Sequence, residues 1–294
     1  MASEAMALAT IVRTQGASYR AAGARMLLLP DGRQVGKLSG GCIEDEVAAR
    51  AVPVFKSGNP DLFSVDTLLR FGCPGSLEIF VERIEPENEF LTYLHGCFTH
   101  RLPAEVVVLY HATHSQRASF PREKSPLLSE GFEQSIDVPI RVAIAGGGSD
   151  GDALLHFSRI LGWDACLLEQ NAALEPYADA RTALIVKNHH FGRDAATLEA
   201  ALRLPFGYVG LLGSRKRRNR IVDTLAGEYF LGEAGRLDHF HGPAGLDLGA
   251  ESPEEIALSI IAEIQAVMNS RDGGFLSDRK GSIHERPTCP VAVS

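Results

Sequence analysis

Short apolar runs of strand length, broken by Gly, Pro and Asp, dominate the chain from Ala7 to about Glu85. Leu8–Val12, Arg25–Leu29 and Gln34–Leu38 read as strands, the second closing in a turn at Pro30-Asp31-Gly32. Ser39-Gly40-Gly41 leads into a helix over about Glu44–Phe55. Phe63–Leu69 and Leu77–Glu82 read as a strand pair around Gly72-Cys73-Pro74-Gly75, followed by a helix near Asn88–His95 and the apolar run Glu105–Tyr110. His111–Val138 has little periodicity and carries Pro121, Pro126, Gly131 and several Ser, so it reads as an interdomain linker.

Beyond the linker the rhythm becomes strand–helix alternation, the pattern of a parallel sheet with crossover helices. Arg141–Ala145, Ala165–Leu168, Ala183–Val186 and Tyr208–Leu212 are the expected strands. Helices are expected over about Asp152–Leu161, Asp194–Leu204 and Lys216–Phe230. For a further helix Ser252 supplies the N-cap, Pro253 the first position and Glu255 the second half of a capping box. Ile256, Ile260, Ile261, Ile264 and Val267 give that helix one apolar face. The expected architecture is α/β: an N-terminal mixed α+β domain over 1–111, a linker over 112–138, and a C-terminal doubly wound parallel domain over 139–294.

Composition narrows the class. A chain of 294 residues fits about two domains, and 45% hydrophobic with 22% charged residues is ordinary for a globular protein. A formal net charge of -8 argues against nucleic acid as a general partner. The five cysteines, Cys42, Cys73, Cys97, Cys166 and Cys289, are odd in number and scattered, so neither a disulfide framework nor a structural zinc is expected. With neither a leader pattern nor a membrane-length apolar run, the cytoplasm is the expected location.

Five segments and one further acidic residue carry candidate chemistry. In Gly40-Gly41-Cys42-Ile43-Glu44 a thiol stands at a helix start, where unpaired N–H groups and the dipole favour the thiolate. Gly146, Gly148 and Gly151 match G-x-G-x-x-G between a strand and a helix, the Rossmann arrangement that lets a pyrophosphate approach the backbone, with Ser149 inside the loop. Glu169, at the end of the next strand, is placed to meet a ribose hydroxyl. Gly213-Ser214-Arg215-Lys216-Arg217-Arg218-Asn219-Arg220 crowds cations into a helix start, where the dipole disfavours them unless an anion binds. His239-Phe240-His241 offers two imidazoles without a third ligand, so no metal is expected there. His189-His190 with Asp194 offers acid–base groups at a strand's carboxyl end.

At these residues the chain resembles the XdhC/CoxI family, accessory factors that mature xanthine dehydrogenase and related molybdenum hydroxylases. The resemblance lies in Ala9–Arg20 and Ser39–Glu44 of the first half, in Tyr208–Arg215, and in Pro243–Ala250 running on through Ser252–Ala257. It implies a carrier rather than a turnover enzyme. The carrier binds molybdenum cofactor, as molybdopterin or its cytosine dinucleotide, protects it during sulfuration and passes it to an apo molybdenum hydroxylase. A cysteine desulfurase is the implied sulfur donor, and a homodimer the implied assembly.

Carried over by position, Cys42 is the candidate molybdenum contact, with Gly40, Gly41 and Glu44 beside it. Gly146, Gly148, Ser149, Gly151, Glu169, Ser214, Arg215 and Arg218 are expected to hold the phosphate or dinucleotide part. The glycine loop and the Ser214 turn are expected at neighbouring strand ends, and the cofactor in a cleft between them and Cys42. Cys73 ranks below Cys42, because the family has Gly-Cys-Gly-Gly where Pro74 here removes a backbone donor. At Glu169-Gln170-Asn171 an arginine frequent in relatives is missing, which favours an unmodified ribose over a 2′-phosphate. Two other classes remain in view: an NAD(P)-dependent oxidoreductase on the Rossmann half, and a sulfur relay carrying persulfide on Cys42.

Overall fold

The computed structural model describes residues 4–16, 18–41, 43–67, 75–111, 116–126, 131–228 and 238–280. It divides into two units, Met1–Val138 and Pro139–Ser294. No described helix is long and apolar enough to cross a membrane.

The first unit is built on an antiparallel sheet of five strands. In chain order these are β1 (Met6–Gly16), β2 (Arg25–Leu28), β3 (Gln34–Gly36), β4 (Asp61–Asp66) and β5 (Gly75–Ile84), arranged β3-β2-β1-β5-β4. Helix α1 (Glu44–Ser57) covers one face, packing Val47, Ala51 and Val54 on Ala9, Ile11, Met26, Ile79 and Val81. The other face meets α2 (Glu89–Thr99) and a three-stranded antiparallel sheet. Covered on both sides, β1 reads as a continuous buried run from Met6 to Val12 rather than an alternating one.

That second sheet corrects the expected linker. Its centre is β6 (Ala104–Leu109), flanked by β7 (Ala118–Pro121) and β8 (Phe132–Ile136), both within 112–138. These strands are short edges, where Pro121 and polar residues are tolerated because only one side is hydrogen-bonded.

The second unit is a parallel five-stranded sheet. Its strands are β9 (Arg141–Ala145), β10 (Asp164–Leu168), β11 (Thr182–Val186), β12 (Tyr208–Leu211) and β13 (Phe240–His241), in the order β10-β9-β11-β12-β13. Helices α3 (Ser149–Ile160) and α6 (Pro253–Met268) pack on one face through Leu154, Ile260, Ile261 and Ile264. Helices α4 (Phe191–Ala201) and α5 (Arg215–Glu228) pack on the other through Leu198, Ile221 and Leu225. The Ser252–Glu255 capping box that opens α6 is formed.

Numbered within its own unit the strand order is 2-1-3-4-5, which places the topological switch between β9 and β11. One expectation fails here. β11 stands between β9 and β12, so the glycine loop and the Ser214 turn are not at adjacent strand ends.

Candidate functional site

At the switch point the glycine-rich loop leaves β9. Gly146 (φ 116°) and Gly148 (φ 106°) have backbone conformations that favour glycine. A Cβ on Gly146 would also strike the carbonyl of Lys187, so the loop lies directly against the end of β11. Gly151 is less constrained, since its Cβ would stand 3.5 Å from Leu167 Cδ2.

Sequence reasoning missed Lys187. Its side chain is completely buried, and Nζ donates to the Gly147 carbonyl at 2.8 Å with Asp150 Oδ2 at 3.6 Å. In sequence it is one lysine after an apolar strand; only the fold brings it beneath the glycines.

The basic segment resolves into distinct roles. Ser214 Oγ accepts from the Arg217 N–H at 3.2 Å and so caps α5. Arg217 pairs with Asp194, a fully buried carboxylate that also accepts from the Asn188 N–H at 2.9 Å. Arg218 lies 5.7 Å from the Phe240 ring centre and Arg220 lies 4.9 Å from that of Phe191. Arg215 and Lys216 remain exposed, with no ion-pair partner among the described residues. No acidic residue occupies the first turn of α5.

Asp194 is therefore committed to an arginine and a turn, not to a histidine. His190 caps α4, its Nδ1 accepting from the Arg193 N–H at 3.3 Å, and His189 sits at φ 55°. The acid–base grouping of His189, His190 and Asp194 is not formed.

Two cavities open at the carboxyl edge of this sheet. The first, about 560 Å³, is lined by Gly146, Gly147, Glu169, Asn171, Asn188 and Arg193 among others. It lies where β10 returns to β11 through the short Glu175–Tyr177 turn, with no crossover helix. The second, about 860 Å³, joins Ser214, Arg215 and Arg217 to Asp150, His189 and the Pro243–Ala250 loop. The expected site residues thus separate: Gly146 and Glu169 face one cavity, Ser214 and Arg215 the other, with the glycine loop and the Lys187–His189 turn between.

Glu263 of α6 holds the wall of the larger cavity. Its carboxylate accepts from the Gly245 N–H at 2.7 Å and the Tyr208 hydroxyl at 2.5 Å, and lies 3.1 Å from His241 Nδ1. Burial opposes its ionisation, but the hydrogen bonds from His241, Tyr208 and Gly245 prevail and lower its pKa. Burial raises the Tyr208 phenol well above its ordinary value, and the nearby carboxylate adds to this. His241 stacks on Tyr208 with ring centres 4.4 Å apart. Burial first, and then His241, lowers the pKa of His239.

In the first unit, Cys42 and Cys73 lie outside the described residues. The loop before Cys42 is defined. Glu44 is buried and accepts from the N–H groups of Leu38 at 3.0 Å, Ser39 at 2.8 Å and Ile43 at 3.2 Å, and from the Ser39 hydroxyl. Burial would raise its pKa, yet these donors outweigh it and bring the carboxyl down to about 2. Glu44 shapes the Ser39–Gly41 turn, its carboxylate engaged by these donors. Gly40 and Gly41 are exposed, and a Cβ on either would meet nothing within 4 Å. The first turn of α1 holds Glu44, Asp45 and Glu46, whose charge opposes the dipole's pull toward a thiolate beside it.

Together these features define a protein with a glycine-loop Rossmann unit, preceded by a unit whose sheets are antiparallel. Residues 142–264 match the XdhC Rossmann domain, and residues 1–71 match the XdhC and CoxI family. The chain belongs to the XdhC and CoxI family. It is 28% identical to a probable xanthine dehydrogenase subunit of Bacillus subtilis (strain 168), over 89% of this chain and 92% of that one. It is 25% identical to the molybdenum cofactor insertion chaperone PaoD of Escherichia coli (strain K12), over 91% and 85%. A crystal structure described as a xanthine dehydrogenase from Bacillus halodurans superposes with a TM-score of 0.73 at 23% identity, covering 92% of this chain and 93% of that one.

Proposed function

We propose that this protein is a maturation factor that binds molybdenum cofactor as cargo and delivers it to a hydroxylase of the xanthine dehydrogenase type. The observation that carries the reading is the start of α5. A capped, acid-free helix end with exposed Arg215 and Lys216 opens on a cavity of about 860 Å³, within the size range of small-molecule sites. A phosphate there gains helix-end N–H groups and cationic side chains together. Asp247, across the same cavity, supplies a carboxylate able to accept two hydrogen bonds from the aminopyrimidine edge of a pterin. The names carried by the Bacillus subtilis and Escherichia coli relatives support the same reading.

In finer detail, Cys42 contacts molybdenum from its glycine turn, and Ser214 and Arg215 hold the cofactor phosphate. Gly146, Gly148, Ser149 and Glu169 receive a nucleotide extension where the cofactor has one, with Arg218 backing the α5 end. Sulfuration on the carrier, a desulfurase partner, a homodimer and a cytoplasmic setting complete the proposal.

Pterin retention tests it. The protein is incubated with molybdenum cofactor, desalted and oxidised, and the fluorescent pterin is measured beside Arg215→Ala and Cys42→Ala. Retention by the native chain, weakened in both variants, is the expected result. No retention by the native chain overturns the carrier reading.

The smaller cavity keeps an oxidoreductase reading open, because Glu169 and Gly146 face it together as a ribose and a phosphate would require. Tight NAD(P)H binding, followed by fluorescence, with substrate-dependent oxidation would favour that reading.

A further inference from the structure

An ammonium has three donors, and one left unpaired in a buried site is costly. Lys187, with no exposed side-chain surface, uses one donor on the Gly147 carbonyl at 2.8 Å. Asp150 Oδ2, at 3.6 Å, compensates the charge without reaching hydrogen-bond distance. A Cβ on Gly148 or on Gly151 would stand 3.6 Å or 3.7 Å from Nζ, so two of the loop's glycines border this lysine from above. The charge that balances it is not deep in the protein. Asp150 is 24% exposed and lines the larger cavity beside Ser214 and Arg215.

We propose that Asp150 is a built-in stand-in for a ligand's phosphate, held in place by Lys187 and displaced when a phosphomonoester or pyrophosphate group enters. The carboxylate sits where an entering anion would do best: at the first turn of α3, beside a buried cation, on the wall that faces the α5 cations. A second anion arriving there is repelled until Asp150 swings outward, and Lys187 then passes from carboxylate to phosphate. The pair acts as a selectivity device. Inorganic phosphate, with few other contacts to offer, is rejected; a larger phosphorylated ligand that fills the cavity is admitted. The inference rests on the anion-binding part of the proposed function and not on the pterin.

The test is calorimetric titration of the full chain with inorganic pyrophosphate at low salt. Asp150→Asn removes the stand-in and is expected to bind about tenfold tighter than the native chain. Asp152→Asn makes the same charge change on an exposed residue of the same helix turn and is expected to gain less than about twofold. Adding Lys187→Met to Asp150→Asn is expected to remove the gain. Equal gains from Asp150→Asn and Asp152→Asn, or no gain from Asp150→Asn, would overturn the proposal without recourse to the lysine variant, which is the one at risk of misfolding. Pterin retention by the same proteins separates the two readings: a pyrophosphate gain without retention spares the stand-in and removes the carrier, and the converse does the opposite.

Discussion

Arg217 of α5 closes on Asp194 of α4, pairing a half-buried guanidinium with a carboxylate that is 1% exposed. The pair joins the turns after β11 and β12, so Arg217 is held by an ion pair where it borders the larger cavity, while Arg215 faces that cavity without one among the described residues.

Arg217→Met leaves a buried carboxylate without its cation and is expected to cost about 3–5 kcal/mol. Arg215→Ala removes an exposed charge and is expected to change stability by less than about 0.5 kcal/mol, while weakening pyrophosphate binding. Denaturant unfolding and anion titration of both variants give the comparison, and equal stability losses would refute the division of roles.

The glycine motif is not uniform. Gly146→Ala combines φ 116° with a clash on the Lys187 carbonyl, and is expected to destabilise the Rossmann unit by about 2–4 kcal/mol. Gly151→Ala meets only ordinary contacts and is expected to cost less than about 1 kcal/mol. Thermal unfolding of the two variants checks the order.

Glu82 of β5 is buried between the two sheets of the first unit, where it accepts from the Ser119 N–H at 2.9 Å and from the Ser119 hydroxyl. Burial pushes its pKa up to about 7, against the hydrogen bonds from Ser119 and the charge of Arg25. A carboxyl raised in the folded state contributes fully below its unfolded value of 4.5, and that contribution is lost as pH climbs through about 7. The loss is expected to reach about 3 kcal/mol above pH 8. Amide exchange of β5 and β6, corrected for intrinsic rate, should show it, and Glu82→Gln should flatten the profile between pH 5 and 8.

Glu44 has the opposite sign. Held down at about 2, it contributes fully above its unfolded value of 4.5 and loses that contribution as pH falls toward 2. Glu44→Ala strands the N–H groups of Leu38 and Ser39, while Ile43 keeps the Ser39 hydroxyl as acceptor, and is expected to cost about 2–3 kcal/mol at neutral pH. Acid titrations of the native chain and the variant should converge below about pH 2. If the variant is as stable as the native chain at pH 7, the turn does not depend on this carboxylate.

Legibility in the sequence follows the range of the interactions. The strand–helix alternation, the glycine loop between β9 and α3 and the Ser252 cap depend on near neighbours and are readable. Lys187 depends on β9, β11 and α3 meeting, and nothing local distinguishes it. Glu44 reads as a site neighbour of Cys42 at a helix start, and its bonds into the turn stay hidden because its inward orientation depends on the Leu38–Ser39 backbone. The strands at Ala118–Pro121 and Phe132–Ile136 are hidden because short edges need neither strong propensity nor clean alternation.

The double coverage of β1 also bears on synthesis. Its edge toward β5 pairs Met6 with Ile84 and Gly16 with Gly75, so it stays open until the chain has grown through Ile84. At ~5–20 residues per second the nascent chain presents Met6–Val12, a seven-residue ribbon apolar but for Thr10 and paired on one side at most, for several seconds. A ribosome-bound holdase would find its segment there, and pausing before Gly75 would lengthen the exposure.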